Sequence, residues 1–138
     1  MTTTETHPAR AASQRSMAMV KAKDREGWLA LWAEDGCVED PVGPSFLDPT
    51  GQGHRGKEAI GAFFDANIAP LDDVVFDIVD SFAAGDEVAN VGTIHLHMPG
   101  GGVGRCEGVF VYRVDADGLL VSLRAFWETD RMMATLQQ

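Results

Sequence analysis

The sequence is short of tyrosine, cysteine and positive charge, and it contains no long apolar run. Among 138 residues there is one tyrosine, Tyr112, and there are two cysteines, Cys37 and Cys106. Two distant thiols with no CxxC spacing exclude a disulfide framework and a dithiol redox motif. The first residues, Met1 to Pro8, lack the apolar core of a secretory signal, so the thiols read as reduced packing residues of a cytoplasmic protein. Lys and Arg number 11 against 21 Asp and Glu, a net charge of −10. That balance argues against nucleic acid and anionic membranes, both of which require clustered cations. No segment reaches the length of a membrane span. There is no repeat and no low-complexity linker. What remains is one domain of ordinary globular composition, 45% hydrophobic and 23% charged.

Its organisation is read from periodicity. Residues 1–8 are expected to be a loose tail, residues 9–131 the domain, and residues 132–138 a second tail. Ala9 to Lys23 holds good helix formers without Gly or Pro, and Ala12, Ser16, Met19, Val20 and Lys23 recur on one side. Asp24 can cap a second helix through Glu26 to Ala33, with Trp28, Leu31 and Trp32 on its buried face and Gly36 ending it. A short apolar strand, Cys37-Val38-Glu39, leads into Asp40-Pro41. Pro44 to Gly56 is turn-rich and reads as an irregular loop. A third helix is expected over Lys57 to Ile68, with Phe63 and Phe64 on its apolar stripe and Pro70 beyond its end. The period then changes to two. Val74–Phe82, Val88–Met98, Arg105–Val114 and Leu119–Glu128 read as strands joined by short Gly-rich turns, which implies an antiparallel meander. Helices followed by a curled sheet make an α+β domain with a pocket between the layers.

Several motifs point to chemistry. Gly51 to Lys57 fits part of a phosphate-binding loop, but Glu58 stands where a Ser or Thr is needed and no buried strand precedes it. It reads as a loop and helix start. Gly100-Gly101-Gly102 with Gly104 lacks dinucleotide spacing and reads as a hairpin tip. His95 and His97 share a strand face and, with Glu107, could bind a metal. A polar outer face, with Ile94, Leu96 and Met98 turned to the core, is the simpler reading. Trp127, with Leu123 and Ala125, lies opposite Arg124 and serves either as core or as pocket wall. Alternation along the strand lets only one of Glu39 and Asp40 face inward. The inward residue is expected to be Asp40. It is either a turn-capping acid or a proton-transfer base, whose pKa would rise between apolar walls.

A family resemblance bears on that choice. The Val38-Glu39-Asp40-Pro41-Val42-Gly43 block resembles the ketosteroid (Δ5-3-ketosteroid) isomerases. So do His54-Arg55-Gly56-Lys57-Glu58-Ala59-Ile60 with Phe63-Phe64, and Asp117-Gly118 through Trp127. The match runs colinearly over roughly residues 11–130. It implies the cone-shaped nuclear transport factor 2-like fold: three helices on a curved, mainly antiparallel sheet around a deep apolar pocket. It also implies a homodimer packed through the sheet, and a steroid or similar polycyclic ligand. Those isomerases use an Asp base and an oxyanion hole of one Tyr and one protonated Asp. By this resemblance the base is Asp40, while the oxyanion positions hold Ser16 and Phe110. Supporting tyrosine positions correspond to Trp32 and Phe64, and a last-strand tryptophan to Trp127. The pocket wall is expected from Val20, Phe63, Phe64, Leu123, Ala125 and Trp127.

The departure is coherent, because a chain with one tyrosine cannot build a tyrosine network. Losing one oxyanion donor commonly costs about 3–4 kcal/mol of transition-state stabilisation. Tyr112, Trp32 and Trp127 are the candidate substitute donors. Three functions follow as expectations. One is a steroid Δ-isomerase-like enzyme with weak or altered activity. The second is a steroid-binding protein with little catalysis. The third is a cyclase or hydrolase of the same fold, which would want a second inward acid. Proton shuttling needs no cofactor and no metal, and none is expected.

Overall fold

A computed structural model gives the architecture, and residues 7–136 are described. Most of the expected N-terminal tail lies outside them. His7 and Pro8 do not belong to a tail: His7 Nδ1 accepts the backbone N–H of Ala9 at 3.1 Å, and Pro8 opens helix α1, Pro8–Ala22. Proline suits that first position because its fixed φ is helical and no N–H is lost. Lys23 ends α1 in the left-handed conformation. Asp24 then caps α2, Arg25–Leu29, by accepting from Gly27 N–H at 2.9 Å.

The second helix is shorter than expected. It stops at Leu29, and Trp32 and Ala33 belong to strand β1, Trp32–Glu39. The i, i+4 pair Trp28 and Trp32 does meet, edge to face at 5.7 Å between ring centroids. That contact is made across a helix–strand corner. Leu31 C=O accepts from Leu120 N–H at 2.8 Å, so sheet pairing replaces the next helical turn. Gly36 is not a helix stop. It lies inside β1, where a Cβ would press within 2.7 Å of the Trp32 ring.

Strand β2 is His54–Arg55, followed by α3, Lys57–Asn67, one residue shorter than expected. The meander then runs through β3, Asp73–Ala84, β4, Glu87–His97, β5, Val103–Val114, and β6, Leu120–Trp127. The sheet order is β2-β1-β6-β5-β4-β3, with β1 and β6 parallel and the other pairs antiparallel. The fold class is therefore the expected α+β one, a six-stranded mixed sheet with helices over one face. A fourth helix, α4, Thr129–Leu136, occupies the segment expected to trail off from residue 132. Met132 is its one buried side chain. Met132 and Leu136 make a single i, i+4 pair in eight residues, too short a period to tell a helix from a tail.

A polar chain seats α1 on the sheet. Arg10 Nε donates to Ser81 Oγ at 3.0 Å, Ser81 Oγ donates to Asn90 Oδ1 at 2.7 Å, and Asn90 Nδ2 donates to Ser13 Oγ at 3.1 Å. Ser13 and Asn90 are buried. Because each buried group is partnered, the chain fixes the helix without an unsatisfied dipole. It also fixes Ser16, one turn further along α1, over the cavity.

Candidate active site

Asp40 follows β1 directly. Glu39 pairs in register with Arg124 on β6 and holds its guanidinium in a 3.0 Å ion pair on the outer face. Alternation then turns Asp40 to the inner face. The Asp40–Pro41 peptide is cis, and Val42 N–H donates to Ala125 C=O at 2.9 Å, so the chain is tied to β6 on both sides of the acid. The loop beyond is organised by Asp48, which accepts from Thr50 Oγ1 at 2.7 Å and from Gly53 N–H at 2.8 Å. Those bonds hold its carboxyl below the usual aspartate range.

Asp40 opens on a cavity of about 320 Å³ between helices and sheet, the low end of the size range of ligand pockets. Ser16, Trp28 and Tyr112, all buried, form the deep end. Val20, Phe63, Phe110, Leu123 and Trp127 form walls. Phe46, Leu47, Pro70, Met98, Pro99 and Met132 surround the outer end. Ile94, Leu96 and Met98 face inward as their alternation requires.

The electrostatics follow from this apolar enclosure. Asp40 retains intermediate exposure because it faces open cavity, yet protein surrounds it and strips its hydration. Burial therefore raises its pKa, and the Trp127 N–H and the nearby His54 oppose the rise. Trp127 Nε1 donates to Asp40 Oδ1 at 2.5 Å. Tyr112 and Cys106, on the inner face of β5, are both pushed up, first by burial and then by the Asp40 charge. At the deep end Trp28 Nε1 donates to Ser16 Oγ at 2.9 Å. Tyr112 lines the same cavity, and Ser16 opposes part of its upward shift.

Of the expected site residues, the structure brings together Asp40, Ser16, Phe110, Tyr112, Trp127, Val20, Phe63 and Leu123. Phe64, Ala125 and Trp32 are displaced from the lining into the core. Phe64 packs on Trp28 at 5.5 Å, and Trp32 lies edge-on behind the same ring, so Trp28 takes the place facing the cavity. The indole N–H of Trp32 is buried without a hydrogen-bond partner and offers nothing to a ligand in this cavity. Sequence reasoning missed Trp28, Cys106 and the outer ring of Phe46, Leu47 and Met132. Alternation from Phe110 would have found Cys106. The others depend on loop and helix packing. Glu107 pairs with Thr93 across the strands, not with a histidine, and it binds Arg131 at 2.6 Å. Among the described residues no cluster of three His, Cys, Asp or Glu is disposed to hold a metal.

Residues 13–123 match the SnoaL-like domain family. The chain belongs to that family. Within it, and within the nuclear transport factor 2-like superfamily, it is a ketosteroid isomerase-like protein. It is 43% identical to a Δ5-3-ketosteroid isomerase from Mycobacterium sp., with a TM-score of 0.87 over 92% of this chain and 98% of that one. RV0760c from Mycobacterium tuberculosis, solved with estradiol-17beta-hemisuccinate, is 43% identical with a TM-score of 0.86 over 91% of this chain and 98% of that one. A computationally designed 17-OHP binder is 41% identical, with a TM-score of 0.86 over 91% and 97%. No match is found among curated proteins.

Proposed function

We propose that this SnoaL-like protein is a steroid Δ-isomerase-like enzyme in which Asp40 moves a proton within a 3-ketosteroid. The observation that carries the reading is the inward carboxyl of Asp40, raised in pKa and held by Trp127, in an otherwise apolar cavity. Asp40 takes a proton from the carbon between ketone and alkene. That C–H electron pair forms a new double bond toward the carbonyl carbon, and the ketone becomes a dienolate. The proton returns to the far alkene carbon, the alkene moves into conjugation, and Asp40 is regenerated. No redox partner or cofactor enters this balance. A raised carboxyl is a better match to a weak carbon acid than an ordinary one.

The activity is altered from that of its relatives, because Ser16 and Phe110 occupy the positions that the resemblance gives to the oxyanion Tyr and Asp. The test is the absorbance of the conjugated enone formed from a 5-ene-3-ketosteroid. Turnover in the unmodified protein should fall by about 10²–10⁴-fold in Asp40→Asn, the usual contribution of a general base. Unchanged turnover in that variant would falsify the mechanism.

A second reading, a steroid-binding protein with little catalysis, is favoured by Phe110, whose ring lines the cavity and can donate no hydrogen bond. Tight steroid binding with no enone formed would establish it. The hydrolase reading ranks below both, since Asp40 is the one carboxylate lining the cavity among the described residues.

The assembly proposed is a cytoplasmic homodimer. Register places Phe82, Ala89, Val91, Val109, Val111 and Phe126 together on the outer sheet face. Phe82 is 61% and Phe126 44% exposed. A contiguous apolar patch of this kind marks an interaction surface.

A further inference from the structure

We infer that Tyr112 is the group that holds the ligand oxygen, and that Ser16 and Trp28 polarise it from behind. The inference deepens the isomerase reading and rests on it. It starts from elimination among the N–H and O–H groups near Asp40. The Trp127 N–H is committed to the Asp40 carboxyl. Trp32 and His54 lie outside the cavity lining. Asn67, the last residue of α3, gives one Nδ2 proton to the backbone C=O of Phe63 at 3.2 Å and lies toward Pro70 at the outer end of the cavity. The Cys106 thiol is a weak donor. Tyr112 and Ser16 remain, both buried and both lining the cavity.

Direction decides between those two. Trp28 can only donate, and it donates to Ser16 Oγ at 2.9 Å. The Trp28 bond takes one lone pair of Ser16 and leaves its proton free to turn toward the phenol of Tyr112, which lines the same cavity. Tyr112 then has its own proton to give, and the open space it faces is the cavity. The order is indole N–H to serine hydroxyl to phenol to ligand oxygen. Each donation in such a chain strengthens the next. Ser16 thus acts one step removed from the ligand. Tyr112 keeps its proton throughout and contributes a hydrogen bond that strengthens as the dienolate charge develops.

The position agrees with the chemistry. Glu39 is level with Arg124, so Asp40 comes level with Ala125, whose partner on β5 is Phe110. Tyr112 lies two pairs further along, the next inward position on β5, opposite Leu123. A ligand whose reacting carbon stands at Asp40, with its ketone pointing to the deep end, carries its oxygen past Phe110 toward Tyr112. The phenol is close enough to Asp40 for that charge to raise its pKa. It is therefore neutral, and able to donate, wherever Asp40 is ionised.

The experiment compares two probes by calorimetry or fluorescence: estradiol, whose phenolic oxygen stands in for the dienolate oxygen, and the same steroid without that oxygen. Tyr112→Phe should weaken estradiol binding about 10²-fold or more, in line with loss of one oxyanion donor, and leave the oxygen-free probe within about twofold. Ser16→Ala should weaken estradiol alone by a smaller factor, and Ser16→Thr should restore it. Equal losses for both probes, or no loss, overturn the assignment. In the enone assay Tyr112→Phe should lower kcat with little change in KM. Turnover that requires Asp40 but survives Tyr112→Phe overturns the donor and leaves the isomerase standing. Tyr112-dependent estradiol binding without turnover keeps the donor and removes the isomerase. Failure of both probes to bind the unmodified protein overturns the steroid reading and the donor with it.

Discussion

The indole N–H of Trp127 donates to Oδ1 of Asp40 across 2.5 Å, linking the end of β6 to the residue that follows β1. A donor aimed at a carboxylate stabilises the charged form, and here it opposes the effect of burial. Trp127→Phe keeps an aromatic wall and removes the donor. The acid limb of the pH–rate profile should move upward by about one to two pH units, since a hydrogen bond to a charged group contributes about 1.5–3 kcal/mol. An unmoved limb would show that Asp40 titrates independently of Trp127.

Asp40 also leaves a mark on stability. Its pKa is raised by burial in the folded protein. The folded state therefore keeps the proton to higher pH than the unfolded chain, whose aspartates titrate near about 3.9. Between that value and the raised folded value the native state binds more protons, so stability falls as pH rises, then levels off. Asn carries no charge at any pH. Asp40→Asn should melt above the unmodified protein at neutral pH, and the gap should close as pH falls below the ordinary aspartate range. Melting curves at pH 3, 5 and 7, values chosen at about the ends and middle of that window, read it directly, and a constant gap would contradict the burial of a charge.

Gly108 faces Trp127 across the β5–β6 pair, and a Cβ there would lie 2.0 Å from the carbonyl oxygen of Phe126. That obstacle is backbone and cannot rotate away. Gly108→Ala should cost about 1–3 kcal/mol in urea unfolding, the usual penalty of forced overpacking. It should also disturb the Trp127–Asp40 contact, lowering turnover beyond what the stability loss explains. Full activity in folded Gly108→Ala would mean that the contact tolerates movement of β6.

Val109 lies mid-strand on the outer face, between Val91 and Phe126. Val109→Glu should convert a sheet-to-sheet dimer into monomers in sedimentation velocity while leaving the far-ultraviolet circular dichroism unchanged. A single species of the same mass in both proteins would remove this face as the interface.

Much of this fold was legible from periodicity. Strong period-two alternation placed β3 to β6 within one to two residues of their observed ends, and the Phe63–Phe64 stripe placed α3. The failures share a cause. Trp28 and Trp32 have helical spacing, but pairing with Leu120 draws Trp32 into β1, a long-range bond that no local window contains. In α4 the pair Met132 and Leu136 settles the helix against β5, where Gly104 leaves room for both side chains.

The Glu39-Asp40-Pro41 block and the alternation around it determined, from sequence alone, that one acid would face the interior at the end of a strand. The lone tyrosine determined that a tyrosine network was impossible. The tertiary structure decided what surrounds that acid. Trp127 is 87 residues away along the chain and donates to Asp40. Ser16, Trp28 and Tyr112 converge from two helices and a strand, and Trp32 and Phe64 withdraw into the core behind Trp28. A carboxyl's orientation follows from local backbone alternation, which sequence records. Its neighbours, and hence its pKa and the oxygen it can serve, follow from the packing of distant elements, which only the folded chain defines.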